Sequence, residues 1–150
     1  MPRLSPEELH AARMAKKKER EALARKQQEE EEAMIRKRQQ EREEAERQKA
    51  RLEQLVSATV ALYGEMDKLT KKAPAMTISP LSLERVNKII RSVKDFVAQE
   101  KDDFIEELVE FVPAGDMPEY RDVTLVLSQI KAGLDRFGEN HRKHWHDLGI

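Results

Sequence analysis

The chain of 150 residues contains no cysteine. That excludes disulfides, thiol catalysis and thiolate metal sites. Aromatic residues make up 5% of it, with a single tryptophan, beside five glycines and six prolines. So few ring and turn-forming residues speak against a compact mixed fold and for long helices. An excess of one charge sign is lacking too: 28 basic residues meet 29 acidic ones, for a net charge of −1. No whole-chain field therefore steers the molecule to nucleic acid or membrane, and any electrostatic role belongs to local patches. No apolar run approaches the ~18–20 residues of a membrane span, and no apolar leader precedes a cleavage-type site. The cytoplasm is the expected compartment. No alternating β-branched run bounded by turns marks a strand.

Chemical motifs are equally scarce. The sequence holds no phosphate loop, no dinucleotide-type glycine turn, no Gly-x-Ser-x-Gly elbow and no His-Glu-x-x-His. Acid pairs such as Asp102-Asp103 and Glu106-Glu107 are present, but neighbours on a helix point apart. The expectation is a protein that is not an enzyme and needs no cofactor.

What is abundant is charge, at 38% of the residues. Ser5-Pro6-Glu7-Glu8 carries the signs of a helix start: a capping serine, proline at the first helical position, and a glutamate three residues on. From there to Lys72 no proline intervenes and the one glycine is Gly64. A single helix of that length would reach about 100 Å at ~1.5 Å per residue.

Its first part nearly repeats every eleven residues. Ala12, Leu23, Met34, Ala45 and Val56 are in step, as are Glu21, Glu32 and Glu43, and Arg25, Arg36 and Arg47. Each of those glutamates precedes an arginine by four residues, the favourable order for a helical ion pair worth ~0.2–0.5 kcal/mol. An eleven-residue period keeps a nearly straight stripe along a helix. The stripe is thin, about one apolar residue per three turns. A solvated single helix, a self-associating or partner-binding coiled coil and a disordered charged segment all fit it.

At Leu52 the pattern changes. Leu52, Leu55, Thr59, Leu62, Met66 and Leu69 step by three and four, a true packing face. Lys71-Lys72-Ala73-Pro74 closes that helix. The run 81–112 repeats the pattern through Leu83, Val86, Ile90, Val93, Val97, Phe104, Leu108 and Phe111, thinning at the polar stretch 99–103. Pro113-Ala114-Gly115 and an Asp116-Met117-Pro118-Glu119 capping box separate it from a third helix with Tyr120, Val123, Leu127, Ile130, Leu134 and Phe137. So short a connection implies antiparallel neighbours. The expected fold class is all-α, a long N-terminal charged helix running into a C-terminal antiparallel three-helix bundle. Its expected division is an extended arm over 1–51 and a bundle over 52–150, with helices at about 52–72, 81–112 and 117–147.

Three sets of residues could carry function. Leu23, Met34 and Ile35, with Lys16, Lys17, Lys18 and Arg20, would let the arm bind a protein partner by apolar contact and charge. Arg13, Lys16, Lys17, Lys18 and Arg20, joined by Arg85, Lys88, Arg91 and Lys94 on the middle helix, would instead meet nucleic-acid phosphates. Against the second set stands the lack of interleaved aromatics to stack on bases and of a helix-turn-helix pair. The third set is His141, His144 and Asp147, whose helical spacing would bring them to one face for a divalent metal, with Arg142 and Lys143 opposing a cation. The leading expectation is an interaction, adaptor or assembly protein acting in a larger complex or as a homo-oligomer, with no membrane role. The alternative is a nucleic-acid-associated accessory protein.

Overall fold

A computed structural model describes residues 2–102, 105, 108–111 and 117–150. It contains helices α1 (Pro6–Lys72), α2 (Pro80–Glu100) and α3 (Tyr120–Asp147), and among the described residues no strand. α1 opens on the reciprocal cap its sequence announces. Ser5 N–H donates to Glu8 Oε2 at 3.0 Å, and Glu8 N–H donates to Ser5 Oγ at 3.2 Å. α2 opens on Ser79, whose hydroxyl accepts from Ser82 N–H at 3.2 Å, with Pro80 at the first helical position.

The chain divides into two units, Met1–Glu43 and Glu44–Ile150. In the first unit every described residue is exposed. Ions on its surface pair locally, as Arg36 does with Glu32 at 3.6 Å.

The second unit is a three-helix bundle. α1 contributes Ala45, Leu52, Leu55, Thr59, Leu62 and Met66; α2 contributes Leu83, Val86, Ile90, Val93 and Phe96; α3 contributes Val123, Leu127, Ile130, Leu134 and Phe137. Full burial of each Val, Leu, Ile, Met or Phe among them favours folding by about 1.5–3 kcal/mol. Phe96 meets Phe137 edge to face, ring centres 5.0 Å apart. Thr59 is buried among these apolar groups, and its hydroxyl finds no partner among the described residues. The body begins at Glu44 rather than at Leu52, about two helical turns earlier than its leucine pattern suggests. Ala45 is already core. Gln48, one turn on, accepts from Trp145 Nε1 at 2.9 Å and donates to Glu100 Oε2 at 2.6 Å, tying all three helices together.

Those ties also give the helix directions. Glu65 of α1 pairs with Arg85 at the start of α2, and Gln48 with Glu100 at its end, so α1 and α2 run antiparallel. Thr70 bonds Thr124 at 2.7 Å and Gln48 bonds Trp145, so α1 and α3 are antiparallel as well. α2 and α3 therefore point the same way.

That arrangement corrects the expected helix 81–112 and the tight antiparallel turn after it. α2 stops at Glu100, where the apolar stripe gives way to the polar run 99–103. Lys101 adopts the left-handed conformation at φ 51°, and both its N–H and that of Asp102 return to Val97 O. For a residue other than glycine or asparagine that conformation costs about 1 kcal/mol or more. The described residues beyond it, 105 and 108–111, are not helical. Asn87 holds the returning chain beside α2: its Nδ2 donates to Phe111 O at 2.8 Å, and its Oδ1 accepts from Phe111 N–H at 2.9 Å. Arg91 adds an ion pair to Glu110 at 3.0 Å. The apolar spacing through Leu108 and Phe111 is used, since both pack on the core, but from a non-helical backbone.

The return ends at the α1–α2 loop. Ile78 N–H donates to Pro118 O and Tyr120 N–H to Met76 O, an isolated antiparallel bridge centred on Thr77 and Glu119. α3 starts one turn later than expected, with Glu119 N–H donating to Asp122 Oδ2 at 3.2 Å. Phe104, Val112, Pro113-Ala114-Gly115 and Asp116 of the sequence reading, and the acids Asp103, Glu106 and Glu107, lie outside the described residues.

Candidate functional site

On the arm, helix geometry aligns side chains eleven residues apart. Leu23 and Met34 therefore share a face, with Ala22 and Ala33 at their shoulders. All the proposed apolar contacts stand in solvent: Leu23 is 57% exposed, Met34 72% and Ile35 66%. Leu9 and Met14 are exposed too. Arg13, Lys16, Lys17, Lys18 and Arg20 project from the same segment, again uncovered. The structure thus keeps both arm sets accessible on one helix. Residue-type reasoning passes over the charges that share the stripe with Leu23 and Met34, because single charges there read as ordinary solvated positions.

The basic patch on α2 is differently placed. Arg85 makes a two-pronged pair with Glu65, Nη1 to Oε2 at 2.8 Å and Nη2 to Oε1 at 3.2 Å. Those hydrogen bonds, and then the charge itself, hold the Glu65 carboxyl below its ordinary range and push Arg85 up. Arg91 donates to Glu84 at 2.6 Å and pairs with Glu110 at 3.0 Å, which likewise push it up. Lys88 and Lys94 are exposed. Half of the patch is thus already committed to carboxylates, and a phosphate would have to displace them.

The histidine run forms no convergent metal site. His141 stacks on Phe137, ring centres 3.9 Å apart, and its Nδ1–H donates to Phe137 O at 2.9 Å. One of its two ring nitrogens is spent on the helix. His144 and Asp147 are exposed. Among the described residues no three His, Asp or Glu side chains come together as metal ligands.

Within the body a shallow groove of about 550 Å³ runs between α1 and α3. Leu52, Val56, Leu134 and Trp145 floor it, and Lys49, Glu53, Asp135 and Arg142 stand along its rim. Gly138 lets the helices close here, since a Cβ at that position would sit 3.3 Å from Leu52 Cδ2. The rim carries both signs of charge and presents no single ligand chemistry. No helix among the described residues is long and apolar enough to cross a membrane. No protein-family model, curated protein or solved structure matches the chain.

Proposed function

We propose that this is a non-enzymatic interaction protein in which a folded three-helix body carries a helical arm that binds another protein. The observation that carries the reading is the uncovered apolar set of the arm, Leu23, Met34 and Ile35, on a helix whose residues 6–43 bury nothing. An isolated charged helix is marginal in water, and burial against a partner supplies the packing it lacks. The basic residues Lys16, Lys17, Lys18 and Arg20 add attraction for an acidic surface and speed encounter. The cytoplasm is the compartment we assign to it.

The test is affinity capture with the full-length chain and its Leu23→Asp and Ile35→Asp variants, each with and without nuclease. Capture that survives nuclease and falls in both variants, while the thermal transition of the body stays put, supports the reading. A transition that drops with the capture would mean that the arm's side chains pack on the body. Equal capture by all three chains would move function to the bundle.

A second reading rests on the exposed basic cluster from Arg13 to Arg20. If that cluster meets nucleic acid, binding weakens steeply with salt and is lost when Lys16, Lys17, Lys18 and Arg20 become glutamine. Binding that is flat in salt would sink it.

A further inference from the structure

The stripe that carries Leu23 and Met34 also carries charges in a fixed order. Side chains three or four and seven residues beyond a stripe residue share its face. Beyond Leu23 these are Lys26, Gln27 and Glu30; beyond Met34 they are Lys37, Arg38 and Glu41; beyond Ala12 they are Ala15, Lys16 and Glu19. All are exposed within the arm. A partner surface must therefore offer apolar groups and opposite charges at the same eleven-residue beat.

The arm itself offers that surface when reversed. Consider a twofold axis crossing the helix between Gln28 and Glu29. Leu23 of one chain then lies opposite Met34 of the second copy. Lys26 lies opposite Glu30 and Glu31 of the second copy, and Glu19 opposite its Lys37 and Arg38. The wider charge follows suit. Residues 14–28 hold six basic and two acidic residues, net +4, while residues 29–43 hold four basic and six acidic ones, net −2. Reversal lays each half on its complement, twice over.

The same-direction alternative fails on the same residues. In register, Lys26 would face Lys26, Glu30 would face Glu30, and the basic half would lie on the basic half, each an opposition of like charge. Staggering relieves the clash but leaves ends that do not close into a symmetric pair. We propose that the arm's stripe is occupied by the arm of a second copy of this chain, laid antiparallel about residues 28 and 29. This rests on reading the arm as an interaction surface, and it names the occupant.

The absence of native cysteine makes the test clean. Full-length L23C and M34C chains, each with one thiol, are mixed under mild oxidation and the disulfide products counted. In the antiparallel pair the mixed product exceeds both self-products by about tenfold. The two L23C thiols of such a pair lie eleven residues apart along the axis, about 16 Å at ~1.5 Å per residue, well past the ~7 Å Cα separation a disulfide spans. In the full-length protein without cysteine, K26E weakens self-association by about tenfold in sedimentation equilibrium. Adding E30K and E31K to K26E restores it, with the thermal transition of the body unchanged throughout. Two results overturn the proposal: self-products of L23C and M34C outnumbering the mixed one, or an unaltered chain that stays monomeric over the whole concentration series. Neither touches the capture experiment, since these measurements use the purified chain alone. A monomeric chain that still captures a partner through Leu23 and Ile35 would keep the interaction reading and discard this one.

Discussion

Residues 6–43 and 44–72 lie on the same helix, yet the first stretch buries nothing and the second buries six side chains. Helix propensity does not separate them, since both are rich in strong helix formers, Ala, Glu, Lys, Arg and Gln in the first and Ala, Leu, Glu and Lys in the second. The density of large apolar groups does. Leu52, Leu55, Leu62 and Met66 recur every turn or two on one face, whereas the arm's stripe has one such residue per three turns, at Leu23 and Met34. A stripe of the first kind specifies a core. One of the second kind leaves a helix whose apolar groups await another surface. Periodicity alone does not decide burial; the volume delivered per turn does.

The sharpest break in that comparison is a matched pair of truncations. Phe137→Ala removes a side chain with no exposed surface and its edge contact with Phe96, and should cost about 3–5 kcal/mol of stability. Leu23→Ala removes nearly as large an apolar group and should change stability by no more than ~0.5 kcal/mol. Denaturant titration followed at Trp145, the one tryptophan, reads both. A Leu23→Ala loss of comparable size would show that the arm is part of the core and end the distinction.

The next effect lies in the body alone. Asn87 is 6% exposed and exchanges two hydrogen bonds with the Phe111 backbone. Asn87→Ala should cost about 1–3 kcal/mol, because Phe111 N–H and C=O lose their partners in a half-buried setting. Hydrogen exchange at the Phe111 amide should quicken more than exchange at core amides of α2. Uniform quickening would mean instead that Asn87 supports the whole bundle equally.

Asn87 also explains what could be read from the sequence and what could not. The three helices, the cap at Ser5, and nearly every core position on α1 and α3 follow from spacing and capping chemistry, which are local. The end of α2 does not. Leu108 and Phe111 keep a helical beat because they pack on the same core as Val86 and Ile90, but they reach it from a chain running back along α2. The signal was an asparagine beside the apolar stripe, ahead of the polar run 99–103. Periodicity counts such a residue as noise; hydrogen-bond chemistry makes it a clamp. Gln48 was hidden in the same way, as one more polar residue of a charged arm. On the arm, Leu23, Met34 and Ile35 were legible as apolar and in step, but what covers them is set by a surface outside the monomer.

Gln48 supplies the test of where body ends and arm begins. Gln48→Ala leaves Trp145 Nε1 and Glu100 without the partners described above and should cost ~1 kcal/mol. The Trp145 emission should shift as its indole loses its acceptor. Lys37→Ala, one repeat earlier, should do neither. If Gln48→Ala is silent as well, the body begins nearer Leu52 than Ala45.

The smallest effect is electrostatic and joins α1 to α2 through Glu65 and Arg85. Arg85's hydrogen bonds, then its charge, lower the Glu65 carboxyl from its ordinary value of 4.5, while Arg85 is raised and stays protonated. A carboxyl held lower in the folded state than in the unfolded chain contributes stability that is fully present above 4.5. That contribution is lost as pH falls through the depressed folded value. Both side chains stand in solvent at the bundle surface, so the contribution is slight and screened by salt. Many other carboxylates titrate over the same window, so acid melting of the wild type alone says little. The difference between wild type and Glu65→Gln isolates this pair, because the remaining carboxylates cancel. The variant should melt slightly lower at neutral pH and low salt, and the two curves should converge both in acid and in high salt. Curves that stay apart in acid would mean that the charge of Glu65 is not what separates the two chains.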